Sequence, residues 1–168
     1  IISTDEAIYG MTFVGPPFIF SFRLLATNAG AAGINTMINI DGNVFWMGRT
    51  NFFTYDGVVK EIPCSVQYFV FDRIQRDFID KTIVAHNKKF KEVTWFYVSN
   101  DNSAGTLNPE PDSYVTFNYL ENAWSIGTMD RTAWLDSFGY RKVPFAFDPD
   151  GYLYNHETGT SANGSAMS

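Results

Sequence analysis

Few residues in this chain combine into a recognisable chemistry. His86, His156 and the single cysteine, Cys64, are its whole stock of imidazoles and thiols. A metal centre needs several converging ligands, and the two histidines stand far apart with no Cys/His cluster around them. A Cys64–His pair for nucleophilic catalysis is formally available. Cys64, however, follows Pro63 at the end of a strand-like run, and a structural thiol is the better reading. Asp148-Pro149-Asp150-Gly151 opens like a calcium loop, but the EF-hand pattern wants its Gly later and a Glu after it, so a hairpin turn is expected. Asp130-Arg131-Thr132-Ala133-Trp134 brings an acid, a base and an indole together; a local ion pair beside a buried Trp is expected there. Asn163-Gly164-Ser165 matches a glycosylation sequon without secretory context. Carboxylates are plentiful, yet their spacing singles out no pair of the kind that flanks a glycosidic bond. No Gly-rich loop follows a strand and opens a helix to cradle phosphate. The sequence therefore assigns no catalytic, cofactor-binding or metal-binding residue, and no cofactor.

The elements that would position any such residue are strands. Residues 7–13 and 18–25 read as a first pair around the Gly15-Pro16-Pro17 turn. The Gly/Ala-rich stretch 28–35 reads as a loop packed closely against another backbone. Residues 36–40, 44–48, 52–55 and 58–62 form a four-strand meander, with Asp41-Gly42 and Asp56-Gly57 as turn signals. Residues 82–85, 92–98, 114–119 and 123–127 form a second, with Lys88-Lys89-Phe90-Lys91 as a solvated hairpin turn and 100–112 as a polar surface loop. Residues 143–147 and 152–154 begin a third unit. Between the first two, Val66, Phe69, Val70, Arg73 and Ile74 fall at helical spacing, which predicts one helix of about three turns over 65–77 with Ser65 as N-cap. Residues 161–168 are small and polar and read as a flexible tail.

Aromatic hairpins recur along this series. Trp46 and Trp95 stand 49 residues apart, and Asp150-Gly151-Tyr152-Leu153-Tyr154 echoes Asp41-Gly42-Asn43-Val44-Phe45. Hairpins at a period of about 50 residues mark propeller blades. The expected fold is all-β: a partial β-propeller over 1–160, about three four-stranded blades in antiparallel meanders, with one short inserted helix. Half a propeller would leave open edges, so the chain reads as part of a longer polypeptide, a processed product, or a subunit covered by partners.

Composition narrows the function. The 168 residues include 16 Phe, 9 Tyr and 4 Trp, or 17% aromatics, which favour pleated, half-buried surfaces. The net charge of −6 argues against gripping nucleic acid through phosphates. No apolar stretch approaches the length of a transmembrane helix, and the start has neither basic nor apolar signal-peptide character. A lone cysteine fits assembly in a reducing compartment.

The run from Asp41 to Gly57, including Asn43-Val44-Phe45-Trp46-Met47-Gly48-Arg49 and Asn51-Phe52-Phe53-Thr54-Tyr55, resembles tail proteins of short-tailed bacteriophages. So do Pro63-Cys64 with Tyr68-Phe69-Val70-Phe71-Asp72, Glu92-Val93-Thr94-Trp95-Phe96-Tyr97, and Asn118-Tyr119-Leu120-Glu121-Asn122-Ala123-Trp124. Gly127-Thr128-Met129-Asp130-Arg131-Thr132-Ala133-Trp134 and Asp150-Gly151-Tyr152-Leu153-Tyr154-Asn155-His156-Glu157-Thr158-Gly159 extend the likeness over most of residues 4–160. The family is that of nozzle, tail-tube or packaged-DNA stabilisation proteins. The resemblance implies a non-enzymatic virion protein, assembled in the host cytoplasm into a hexameric ring below the portal. Its partners would be other copies, the portal or adaptor, other tail proteins, and packaged double-stranded DNA sliding through without sequence-specific contact. No membrane partner is implied. An acidic channel wall would let DNA slide, and loop 100–112 would touch tail neighbours. Two other readings stay open: a carbohydrate-binding propeller and a propeller hydrolase.

Overall fold

The structure, a computed structural model, describes residues 1–103, 109–159, 161–162 and 165–166. Its strands are antiparallel throughout. β1 (Ile2–Ser3), β2 (Ala7–Gly15) and β3 (Ile19–Thr27) form a first sheet. β4 (Met37–Ile40), β5 (Asn43–Met47), β6 (Phe52–Tyr55) and β7 (Val59–Ile62) form a four-stranded meander in sequence order. β8 (Ile83–Asn87), β9 (Glu92–Tyr97), β10 (Ser113–Asn118) and β11 (Ala123–Thr128) form a second. β12 (Ala133–Leu135), β13 (Phe145–Phe147) and β14 (Leu153–Asn155) make a three-stranded unit. Ser161–Ala162 pairs with Ser165–Ala166 inside the segment read as a tail, whose other residues lie outside the described ones. The fold is all-β, and two of the sheets are the four-strand meanders expected. The third carries three strands among the described residues. β4 touches β8, and β8 touches β12, so the first strands of successive sheets lie side by side in the manner of propeller blades.

Turn chemistry sets these hairpins. Asp41 and Gly42 both take positive φ, as a type I′ turn requires, and Asn39 Oδ1 accepts from Gly42 N at 3.0 Å. The Asp148-Pro149-Asp150-Gly151 segment is a turn between β13 and β14: Asp148 Oδ1 accepts from Tyr152 N at 2.8 Å, and Gly151 sits at φ 86°. Its carboxylate serves the backbone.

Two apolar layers hold the sheets together, and strand periodicity sorts residues between them. From β5 and β6, Phe45, Met47 and Phe52 face one layer with Val93, Trp95, Val115 and Phe117 of the next sheet. The alternate residues Val44, Trp46 and Phe53 face the other layer, with Ile8 and Ala29. All four indoles then stitch between units. Trp46 Nε1 donates to Ala29 O at 2.7 Å, Trp95 to Thr36 O at 2.9 Å, Trp124 to Pro63 O at 2.9 Å and Trp134 to His86 O at 2.9 Å. Each acceptor precedes the indole's own hairpin in the chain, so every indole ties its unit back to earlier structure. The close backbone approach expected of residues 28–35 is seen at Gly30, where an added Cβ would come within 2.2 Å of the Asp5 carbonyl carbon.

The inserted helix departs from expectation. α1 spans only Gln67–Arg73, its N-cap is Val66 without a side-chain cap, and Ile74 is extended at ψ 131°. A separate 3-10 helix follows over Arg76–Lys81. Ile74 is pulled from the helix because it bridges Ser99 and fills the core at 3% exposure. Helical spacing placed Val70 and Ile74 inward correctly, but Phe69 is 44% exposed and Phe71 is buried in its stead, and the helix is shorter than expected because tertiary pairing overrode local propensity. The polar loop 100–112 also begins with one helical turn, α2 (Asn100–Ser103); residues 104–108 lie outside the described ones.

Candidate functional site

Register makes the second meander two-faced. Cross-strand partners share a face, so Asn87 lies beside Glu92, Thr94 beside Thr116, and Thr116 beside Ser125. The opposite face presents Val93, Trp95, Val115 and Phe117 to the core. The polar face is the floor of a cavity of about 260 Å³. Its wall comes from the following unit: Trp134, Met129, His156 and Glu157, with Phe96 and Tyr114 at one end. Trp134 is held there by its indole bond to His86 O and by His156, whose ring lies 4.6 Å from its own.

The residues with chemical potential form two groups, each with one histidine, His86 or His156, at the border of this cavity. Tyr119 Oη lies 3.2 Å from His86 Nε2, and His86 Nδ1 lies 3.4 Å from Asp136 Oδ2. Tyr–His–Asp connectivity is that of a nucleophile relay, but the electrostatics oppose one. Burial lowers the His86 pKa despite the pull of Asp136, leaving the ring neutral near pH 7, so its contact with Asp136 is no full ion pair. Burial, with Asp41 and Asp136, raises the Tyr119 hydroxyl, the reverse of activation. In the second group Arg131 Nε donates to His156 Nε2 at 2.9 Å, and its guanidinium lies 4.6 Å from the Tyr154 ring centre. Burial and Arg131 push His156 down to about 4.

Asp130-Arg131 is therefore not the local ion pair expected. Arg131 directs Nη1 to the Asp130 carbonyl and Nε to His156. Burial, then Asp112, raises the Asp130 carboxyl above its ordinary range, although Arg131 draws it down. Spacing in sequence cannot show that a partner arrives from β14's far end, 25 residues on.

Cys64 stands half-buried at a separate groove with Gln67, Phe71 and Arg76, and burial pushes its thiol up to about 11. It is not an activated nucleophile. His86 and His156 flank one cavity but have separate partners. Among the described residues no three His, Cys, Asp or Glu side chains converge on a metal-sized site. No described helix is long and apolar enough to cross a membrane. Of the sequon, Asn163 and Gly164 lie outside the described residues.

A second feature lies on the first sheet, away from this cavity. In the β2–β3 hairpin Met11 pairs with Phe22 and Phe13 with Phe20, while Thr12 pairs with Ser21 and Gly10 with Arg23. One face is apolar and the other polar. The apolar face is uncovered: Phe13 is 68% exposed and Phe22 61%. The hairpin base is anchored by fully buried Ile8. Pairing the two strands by register reveals the sorting that each strand alone hides.

No family model and no curated protein matches the chain.

Proposed function

We propose that this chain is a structural protein of a short-tailed phage tail, part of a nozzle or tail-tube ring below the portal that guides and retains packaged DNA. The observation that carries the reading is the amphipathic β2–β3 hairpin. A strip of Met11, Phe13, Phe20, Phe22 and Leu24 on an anchored arm is an interaction surface, since large exposed apolar patches mark sites covered by a partner. A neighbouring copy in a ring is the occupant this reading requires. The meander order, and the resemblance of residues 4–160 to tail proteins, support the same role. So does the net charge of −6, which would keep a channel wall from gripping DNA. The function then resides in assembly, and no catalytic step is assigned to any residue.

Fractionation of phage particles tests it. The chain is expected to co-sediment with tails in fixed stoichiometry, and a cryo-EM map is expected to place the hairpin against the next subunit around an acidic lumen. A protein absent from tails would overturn the reading, and a basic lumen would overturn the account of its charge.

A further inference from the structure

We infer that the cavity between the β8–β11 meander and the β12–β14 unit binds an organic cation, an alkylammonium or guanidinium head group. The inference stands apart from the phage-tail reading and rests on the cavity alone. Asn87 is only 5% exposed. Its Nδ2 donates to Glu157 Oε1 at 3.2 Å, which settles the amide's orientation because a carboxylate only accepts. Asn87 Oδ1 is then a buried acceptor with no hydrogen-bond partner among the described residues. Buried polar atoms in native proteins are nearly always paired, so this one calls for a donor.

The surroundings say which kind of donor. Glu92 sits beside Asn87 on the same sheet face, and Glu157 stands exposed at the same cavity. Glu121 adds a third negative charge nearby. Burial first, then Glu157 and Glu121, pushes the Glu92 carboxyl above its ordinary range, the mark of a carboxylate lacking a compensating cation. Thr94 and Thr116 hydroxyls are turned to each other at 2.8 Å. Acceptors and negative charge therefore dominate. An ammonium brings three donors and a guanidinium five, neither brings an acceptor, and both carry the missing charge. A sugar hydroxyl brings an acceptor with every donor and leaves the charge uncompensated. Trp134 and Phe96 offer apolar surface for methylene groups, and the volume of about 260 Å³ suits a head group with a short carbon chain.

Amide and side-chain NMR of the 168-residue chain, titrated separately with putrescine, Nα-acetyl-lysine amide, methylguanidinium, glucose and calcium chloride, tests the site. The cations are expected to shift the Asn87 side-chain amide and the Thr94 and Thr116 resonances. Preference for putrescine identifies a free amine as the source. Preference for the lysine amide or methylguanidinium identifies a partner's side chain. Glu92→Gln is expected to weaken binding about tenfold, the scale of one charge-assisted hydrogen bond. It relieves like-charge crowding, so it should fold; should it not, the wild-type titrations decide alone. No shift with any organic cation overturns the inference. So do a stronger response to glucose or calcium and undiminished binding by folded Glu92→Gln.

Discussion

The β4–β7 and β8–β11 meanders share strand order, hairpin connections and a Trp in the second strand, yet they differ on one face. The first is apolar on both sides, with Phe45, Met47 and Phe52 toward one layer and Val44, Trp46 and Phe53 toward the other. The second buries Val93, Trp95, Val115 and Phe117 on one side and lines a cavity with Asn87, Glu92, Thr94, Thr116 and Ser125 on the other. One apolar face suffices to hold a meander in place. The other is free to carry chemistry, and only the second meander uses that freedom.

Neighbouring residues on β9 break or sharpen this contrast most directly. Trp95 is fully buried and donates to Thr36 O, whereas Thr94 points into the cavity. Trp95→Ala is expected to cost about 3–5 kcal/mol in urea unfolding, through lost burial and the void left behind. Thr94→Ala should cost about 1 kcal/mol or less, the scale of one hydroxyl pair. Equal costs would mean that the cavity face is as integral to the core as the apolar one.

Glycines make the next comparison. A Cβ at Gly30 would meet Asp5 backbone at 2.2 Å, while one at Gly127, on the cavity side, would meet the Tyr114 ring end at 2.5 Å. Backbone cannot step aside, and a side chain bordering a cavity can. Gly30→Ala is expected to cost about 1–3 kcal/mol or slightly more, and Gly127→Ala clearly less, by thermal or urea unfolding.

What could be read from sequence follows the same division. Both four-strand meanders were legible because their signals are local: apolar alternation, Asp-Gly turns, and Trp46 and Trp95 at matching places. The core face of β9 was legible for the same reason. The cavity was not, because it depends on register between strands and on residues arriving from later in the chain. His156 reaches Arg131, Asp136 reaches His86, and Glu157 reaches Asn87 70 positions away. The inserted helix shows the converse error: a long-range bridge from Ile74 to Ser99 cut the helical period short, and Phe71, not Phe69, turned to the core.

Titration reads the cavity face separately from the core. His156 is held down at about 4 in the folded chain against 6.5 for an unperturbed imidazole, and His86 is lowered too. Between those values the unfolded chain binds the extra proton, so stability is complete above about pH 6.5 and falls as pH drops toward 4. After solvent screening the loss is expected to be about 1 kcal/mol, from urea midpoints across that range. Glu92, raised above its ordinary value, acts oppositely: its contribution is present below about pH 4.5 and is lost as pH rises through its folded value. Glu92→Gln should therefore steepen the acid-side loss. An unchanged or shallower slope would show that the two groups do not act as described.

The smallest effect on folding belongs to the β2–β3 hairpin, which extends the comparison beyond the two meanders. There the apolar face has no inner layer to fill, so it should matter to association and hardly to stability. Phe20 pairs with Phe13 at the uncovered end, their rings 5.8 Å apart, and both are exposed. Phe20→Ser is expected to shift the unfolding free energy by no more than about 0.5 kcal/mol, as exposed substitutions usually do. Sedimentation velocity should show the same variant losing self-association that the parent displays. Ile8→Ala, at the buried base, should do the reverse: it should cost about 2–5 kcal/mol in folding while leaving the association surface of the surviving folded fraction intact. If Phe20→Ser instead destabilises the isolated chain like a core substitution, the strip is folded against its own molecule in solution. The hairpin would then be one more two-sided sheet, like β4–β7, and the assembly reading would lose the surface that carries it.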